Sequence, residues 1–306
     1  HLVVPIFFVA SGYLFGRERR RDGESLRRKA LTVIIPATAW AVIAVAVRVR
    51  EFGLTGEQAA IDFAVFNASG QYFYVFVLGL FFVGAVQLRR ADTALLTGVV
   101  VVSMTAGLAR VAMLSAQPPE GSLGAMMAYR DPFLWFGYFA LGLRVARGPL
   151  ALGFAGRTAL GVIAVGALAW WLGSGEGETS YFSVPIYVAG VALALLVAEQ
   201  VTVAADAEPV WARPATFLGR HSFAIFLAHM PLFIGLVTER WYPEAFADSY
   251  TGRIAFRAAV GLGGPVLMVL AVRAAMPGSV AKWFGFEGRD ATAVRTTQRG
   301  IPVAGG

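Results

Sequence analysis

An apolar run over residues 1–16 stops abruptly at a block that holds seven arginines and lysines between Arg17 and Lys29. An apolar run that ends in such a cluster is typical of a membrane helix emerging into the cytoplasm. Similar runs recur along the whole chain, which is 57% hydrophobic and only 15% charged, with a mean hydropathy of +0.64. A soluble domain of this length needs far more surface charge, so composition excludes that class.

Nine runs approach the roughly 20 apolar residues that a membrane-spanning helix needs. They are residues 1–16, 31–49, 71–88, 94–115, 133–146, 157–173, 183–204, 217–237 and 254–276. The runs are long and continuous, whereas the strands of a membrane barrel alternate over about ten residues. The sequence therefore predicts an all-α fold, a polytopic transmembrane helix bundle with nine visible spans.

The charges between these runs alternate in sign along the chain. The segments 17–30, 89–93, 144–157, 205–220 and the tail after residue 272 contain 19 of the 26 lysines and arginines. The intervening segments, 50–70, 116–132, 174–182 and 238–253, contain ten acidic residues. Because basic loops stay on the cytoplasmic side, we expect a multi-pass protein of the plasma membrane with a cytoplasmic C-terminus.

This topology makes the first visible helix enter from outside, so we expect a tenth span upstream of His1. Residues 1–276 are predicted to form one membrane domain, and the polar, Gly-rich residues 277–306 a disordered cytoplasmic tail. The net charge is +7, and the basic residues that produce it lie between the apolar runs, so a nucleic-acid partner is not expected. The chain has no cysteine, and no metal site is predicted.

Polar residues inside the apolar runs are the candidate functional groups, because burying them in a bilayer is costly. His229 is the deepest, near the centre of 217–237 and two residues before Pro231. A neutral imidazole there suits a general base that takes a proton from an attacking hydroxyl. The alternative is a histidine that only fixes helix packing. For His221, Arg110 and Glu199, which lie nearer the ends of their runs, interfacial roles are the more frequent ones.

The polar and small residues of the first apolar run, and the basic block that follows it, each allow a structural and a functional interpretation. Ser11 commonly bonds back to its own helix, and Gly12 allows close approach of either a helix or a ligand. The basic block, which includes Arg27, Arg28 and Lys29, is sufficient as a topology signal. Its guanidinium groups also suit the phosphates of a nucleotide-like cofactor.

Several segments resemble the membrane-bound acyltransferase 3 family, in the order that the family has them. The segment 7–14, FFVASGYL, resembles the family's FFxxSGyL motif, and LRRKALTVIIPATAW at 26–40 resembles the entry to its next helix. QYFYVFVLGLFFV at 71–83 is similar to the aromatic helix that usually reads WF, with Tyr72 in place of the tryptophan. FGYFALGLRVAR at 136–147 and LGRHSFAIFLAHMPLF at 218–233 resemble two later segments, the second with Phe226 for the usual tyrosine.

The resemblance implies an O-acyltransferase that moves an acyl group, most often acetyl, from cytoplasmic acyl-CoA to a hydroxyl of a cell-surface glycan or glycolipid. It implies that Phe7, Phe8, Ser11 and Gly12 line the donor path and that Arg27, Arg28 and Lys29 bind the phosphates. The family's catalytic histidine lies on a helix before the FFxxSG segment, and no residue of this sequence matches it. Within this sequence His229, singled out by its depth in an apolar run, is the candidate catalytic group.

A transporter or flippase without acyl-transfer chemistry is the alternative function, because nine or ten spans suit it equally well. Transporters usually show broken helices at matching positions in two halves of the chain. The segment 261–265, GLGGP, breaks one run, but the first half has no counterpart.

Overall fold

The computed structural model describes residues 3–18, 22–64, 66, 72–116, 124, 127–174, 183–203, 221–229, 232–233 and 249–286. Within these ranges all regular structure is helical, which confirms the all-α prediction for this part of the chain. The chain divides into two compact units, residues 1–26 with 76–207 and residues 27–75 with 208–306.

The main α-helices follow one another along the described ranges. They are α1 (Val3–Arg17), α2 (Asp22–Lys29), α3 (Ile35–Phe52), α4 (Gly56–Ala64), α5 (Phe73–Gly84), α6 (Thr93–Ala116), α7 (Pro132–Val145), α8 (Phe154–Gly173), α9 (Val184–Val203), α10 (221–228), α11 (Tyr250–Ala258), α12 (Gly264–Ala275) and α13 (Gly278–Ala281).

Helices coincide, at least in part, with all nine predicted runs. Four helical stretches are both long enough and apolar enough to cross a membrane: Asp22–Glu51, Thr93–Ala116, Phe154–Gly173 and Ala255–Ala275. The apolar stretches Val4–Arg17, Phe73–Gly84 and Val184–Gln200 are shorter. The count of nine spans therefore stays a prediction.

In the first unit, α7 is the central helix, and α1, α6 and α9 pack against it. Ten of the fourteen residues of α7 are buried, and Asp131 caps its N-terminus by accepting a hydrogen bond from the Phe133 amide at 3.0 Å. Phe15, Phe81, Phe82 and Phe139 pack ring against ring beside it, with centroids 5.2–6.0 Å apart. The core of this unit is thus aromatic and centred on α7.

Backbone contact between α1 and α7 depends on two glycines. A Cβ atom on Gly12 would overlap the carbonyl oxygen of Phe139, and one on Gly142 would overlap the carbonyl oxygen of Val9. Small residues let membrane helices approach this closely, which increases their packing. Of the two readings of Gly12, the structure shows close approach of another helix.

In the second unit, two helices widen into a π-helical turn just before a proline. Ala30–Ile34 precedes Pro36, and Ala259–Gly263 precedes Pro265. Proline has no N–H to donate to the carbonyl four residues earlier, so the helix must rearrange locally. His229 also lies in a π-helical turn, two residues before Pro231.

Residues 278–286 form a short helix and a 3₁₀ turn that fold back onto α3, and we call this segment the C-terminal clasp. The indole nitrogen of the buried Trp40 donates to the Phe284 carbonyl at 3.1 Å, and the rings of Phe284 and Phe286 pack edge-on against it. These residues belong to the stretch that the sequence predicts as a disordered tail, and here they are folded. Residues 287–306 lie outside the described residues.

Candidate functional site

The four candidate residues of α1 lie in two environments. Phe8 is fully buried between Trp135 and Phe81, with ring centroids 5.6 and 5.5 Å away. Gly12 is buried at the crossing with α7, whereas Phe7 and Ser11 are partly exposed. The structure thus gives Phe8 and Gly12 a role in packing, and their assignment to a donor path stays a prediction.

The basic residues occupy the last turn of α2. Arg27 and Arg28 are exposed and Lys29 is half-buried. The helix continues beyond this turn into α3, and the exposed guanidinium groups on its surface are accessible to an anion. The α1 residues belong to the first unit and these three to the second, and their grouping in one donor site stays a prediction.

Arg89 is a buried arginine that the sequence marked only as part of a basic loop. Its side chain is 6% exposed and donates to the Asp22 carboxylate at 3.1 Å and to the Glu18 carbonyl. Its guanidinium carbon also lies 4.9 Å from the centre of the Phe15 ring, and the buried Ser25 hydroxyl donates to the Glu18 carboxylate at 2.8 Å. We call these residues the Arg89 knot, and they join the end of α1 to the start of α2.

Glu199 and Arg110, two of the polar residues inside the apolar runs, form ion pairs within the first unit. The Glu199 side chain is 3% exposed and accepts three bonds of 2.9–3.1 Å from the Arg157 guanidinium, as well as the Leu152 amide at 3.1 Å. Arg110 pairs with Asp131 at 2.6 Å. Both side chains therefore stabilise helix ends.

His229 lies on the segment that follows α10, in the second unit. Its Nδ1 lies 2.8 Å from the carbonyl oxygen of Phe226. A carbonyl oxygen can only accept, so Nδ1 carries the proton and the neutral ring keeps its Nε2 lone pair. No residue in the described ranges donates to that Nε2. This tautomer is the one that a general base needs.

The neighbours of His229 hold its segment in place. The fully buried Tyr72 donates its hydroxyl to the Leu227 carbonyl at 2.9 Å, and the ring of Tyr74 packs edge-on against Phe226 at 5.3 Å. Pro231 lacks an N–H and therefore frees a carbonyl one turn before it, but nothing in the sequence pairs Tyr72 with that carbonyl.

His221 is buried on the same helix and has a different environment. Its Nε2 lies 3.4 Å from the guanidinium of Arg273, at the end of α12. This contact occupies Nε2, the nitrogen to which no described residue donates in His229, so His221 is a packing residue in this structure.

A groove of about 240 Å³ lies between α6, α8 and α9 of the first unit. Its walls are apolar apart from Thr105 and Tyr187, and the Tyr187 hydroxyl donates to the Met104 carbonyl at 3.2 Å. Across the described ranges, no three His, Asp or Glu side chains come together in a way that would hold a metal ion.

Paired charges at helix ends, glycine-mediated helix crossings and apolar spans define this chain as a helical membrane protein. The family model described as an acyltransferase domain, acyltransferase 3, matches residues 1–282. The chain belongs to the acyltransferase 3 family and is a membrane acyltransferase. No curated protein and no solved structure matches it.

The family match confirms the predicted resemblance and decides between the two predicted functions in favour of the enzyme. The matched range ends at Lys282. The two clasp residues that pack on Trp40, which are Phe284 and Phe286, therefore lie just after the matched range.

Proposed function

We propose that this protein is an O-acyltransferase of the plasma membrane that moves an acetyl group from cytoplasmic acetyl-CoA to a hydroxyl of a cell-surface glycan or glycolipid. Its family membership supports the acyl transfer, and the alternation of basic loops supports a cytoplasmic C-terminus. The observation that carries the hydroxyl acceptor is the geometry of His229.

The proposed step needs a base at membrane depth. The acceptor oxygen attacks the thioester carbonyl carbon, while its proton moves to Nε2 of His229. The new C–O bond forms, the C–S bond breaks, and the departing CoA thiolate takes the proton from the His229 imidazolium, which restores the neutral base. The bond from Nδ1 to the Phe226 carbonyl holds the ring in the tautomer that leaves Nε2 to accept, and it stabilises the imidazolium that forms.

The donor is proposed to bind through its phosphates at the end of α2. Arg27 and Arg28 are exposed there, and Lys29 adds a third cation in the same turn. Guanidinium groups bind phosphate oxygens through pairs of hydrogen bonds. The acetyl end of the donor is proposed to lie along Phe7 and Ser11, the two partly exposed members of the α1 set.

Turnover of acetyl-CoA by the protein in native membranes tests this function. We expect release of CoA thiol together with transfer of radiolabelled acetyl to the glycan or lipid fraction. His229→Gln should lower both by about a hundredfold or more, as expected for loss of a general base.

His221→Gln is the matched control, because it makes the same change on the same helix and glutamine can still accept the bond from Arg273. Its turnover should stay within about twofold of the unmodified protein. Wild-type turnover in His229→Gln would refute the base, and absence of any acetyl-CoA turnover with uptake of a solute would refute the enzyme function proposed here.

A further inference from the structure

The Leu227 carbonyl is the polar group at the bend beside His229. Pro231 has no N–H, so the helical bond that this carbonyl would normally accept cannot form. A buried carbonyl without a donor is costly, and inside a bilayer water cannot replace it. In the structure the Tyr72 hydroxyl donates to it at 2.9 Å, and Tyr72 is completely buried.

Phe226 and Leu227, adjacent residues of α10, are also contacted by two other parts of the second unit. Gly285 of the C-terminal clasp adopts a left-handed conformation, with φ of 79°, and lies against the side chains of Leu227 and Phe223. Tyr74, on the same helix as Tyr72, packs against Phe226. Nδ1 of His229 lies 2.8 Å from the Phe226 carbonyl, and the Ile225 backbone also bonds to the ring, so the position of this short backbone segment determines the direction of Nε2.

We infer that Tyr72 is a positioning residue for His229, an inference that rests on the function proposed above. Tyr72 acts through the backbone: its hydroxyl holds the Leu227 carbonyl, and the adjacent Phe226 carbonyl holds Nδ1 of His229. Without the hydroxyl, the Leu227 carbonyl must turn to find another donor, and the peptide it shares with residue 228 turns with it. The imidazole then loses its fixed direction, although its chemistry is unchanged.

Tyr72→Phe in the full chain tests this role, because it removes one oxygen and keeps the buried ring. We expect kcat for acetyl transfer to fall about ten- to a hundredfold, since a displacement of about 1 Å of a catalytic group has effects of that size. The KM for acetyl-CoA should stay within about twofold, because no donor contact is changed. Tyr72→Trp should restore most of kcat, since the indole N–H is also a donor.

Tyr187→Phe is the matched control. It removes a hydroxyl that also donates to a backbone carbonyl, that of Met104, in the first unit, whereas His229 belongs to the second. Its kcat should be unchanged even if its thermal stability falls. An equal loss of kcat in Tyr187→Phe and Tyr72→Phe would show a general structural effect and overturn the inference.

His229→Gln separates the two proposals. If His229→Gln abolishes transfer while Tyr72→Phe keeps wild-type kcat, the positioning role is wrong and the general base stands. If His229→Gln keeps wild-type transfer, the general base fails and the positioning role fails with it, while the acyl-transfer function stands. Should Tyr72→Phe not fold, Tyr72→Trp decides: kcat within about threefold supports the donor role, and a loss of about a hundredfold overturns it.

Discussion

The crossing of α1 and α7 gives the most direct test of the fold. Gly12→Ala places a methyl group where the carbonyl oxygen of Phe139 lies, 2.9 Å from its carbonyl carbon and 3.2 Å from its Cα. All three atoms are backbone, so no side chain can rotate away. Since carbon atoms in contact normally stay about 3.5–4.0 Å apart, the two helices must separate by roughly 1 Å.

The expected cost follows from this separation. A gap of 0.5–1 Å forfeits about a quarter to a half of each dispersion contact along the crossing, and overpacking of a tight interface costs about 1–3 kcal/mol. Alanine in place of glycine favours the helix by about 1 kcal/mol and offsets part of this. We therefore expect a net loss of up to about 2 kcal/mol, or up to about 4 °C in the unfolding temperature.

Thermal unfolding of the detergent-purified protein, followed by size-exclusion chromatography, measures the effect. Gly166→Ala in α8 is the matched control, because a Cβ there meets no atom within 4 Å. It should leave the unfolding temperature unchanged or raise it. If the Gly12→Ala variant has the same unfolding temperature as the Gly166→Ala variant, the backbone contact is refuted.

The reciprocal position sharpens this test. Gly142→Ala directs its methyl group at the Val9 carbonyl and lies 2.6 Å from the Tyr13 nitrogen, so it opens the same crossing from the other side. Once one methyl group has separated the helices, the second costs less, and the double substitution should destabilise by less than the sum of the two. A strictly additive pair would mean that each glycine acts at a separate contact.

Two further predictions concern charges. The double substitution Arg27→Gln with Arg28→Gln should weaken binding of CoA about tenfold or more, and binding of dephospho-CoA less, because charge-assisted bonds to phosphate are lost. Arg50→Gln, at the far end of the same continuous helix, is the control. A CoA affinity in the double variant equal to that of the unmodified protein would refute the phosphate assignment. Glu199→Gln should lower stability by about 1–2 kcal/mol in thermal unfolding, since the Arg157 guanidinium loses its buried carboxylate, and an unchanged unfolding temperature would show that this ion pair is energetically neutral.

The helices themselves could be predicted from the sequence, because each depends on local composition. Apolar runs of suitable length become helices wherever the backbone must satisfy its own hydrogen bonds, so α6 and α8 begin and end within three residues of the predicted runs. The joining of α2 to α3 was not predicted. A polar segment with a basic end reads as a loop, yet the helix continues through it from Asp22 to Glu51.

A residue of the candidate site could be predicted only where its own position in the sequence is unusual. His229 stands out because an imidazole at membrane depth needs a reason. Tyr72 and Arg89 could not be predicted, because their partners lie 155 and 67 residues away in the chain and an aromatic or a basic residue at a helix end is ordinary. Gly12 was open to two readings since the sequence does not show that Gly142 approaches it.

The ion pairs bear on the predicted alternation of loops more directly than helix length does. Within the first unit, Arg89 pairs with Asp22 and Arg157 with Glu199, and each pair joins two segments that the basic loops assign to the same side. Arg110 and Asp131 pair at the opposite end of α6, where the acidic loops are. A pair between opposite sides would have to cross about 30 Å of hydrocarbon, so short-range pairing is a physical check that does not depend on insertion statistics. In this unit the loop charges and the ion pairs assign the helix ends to the same two sides. This agreement supports the alternation even where single helices are shorter than a full span.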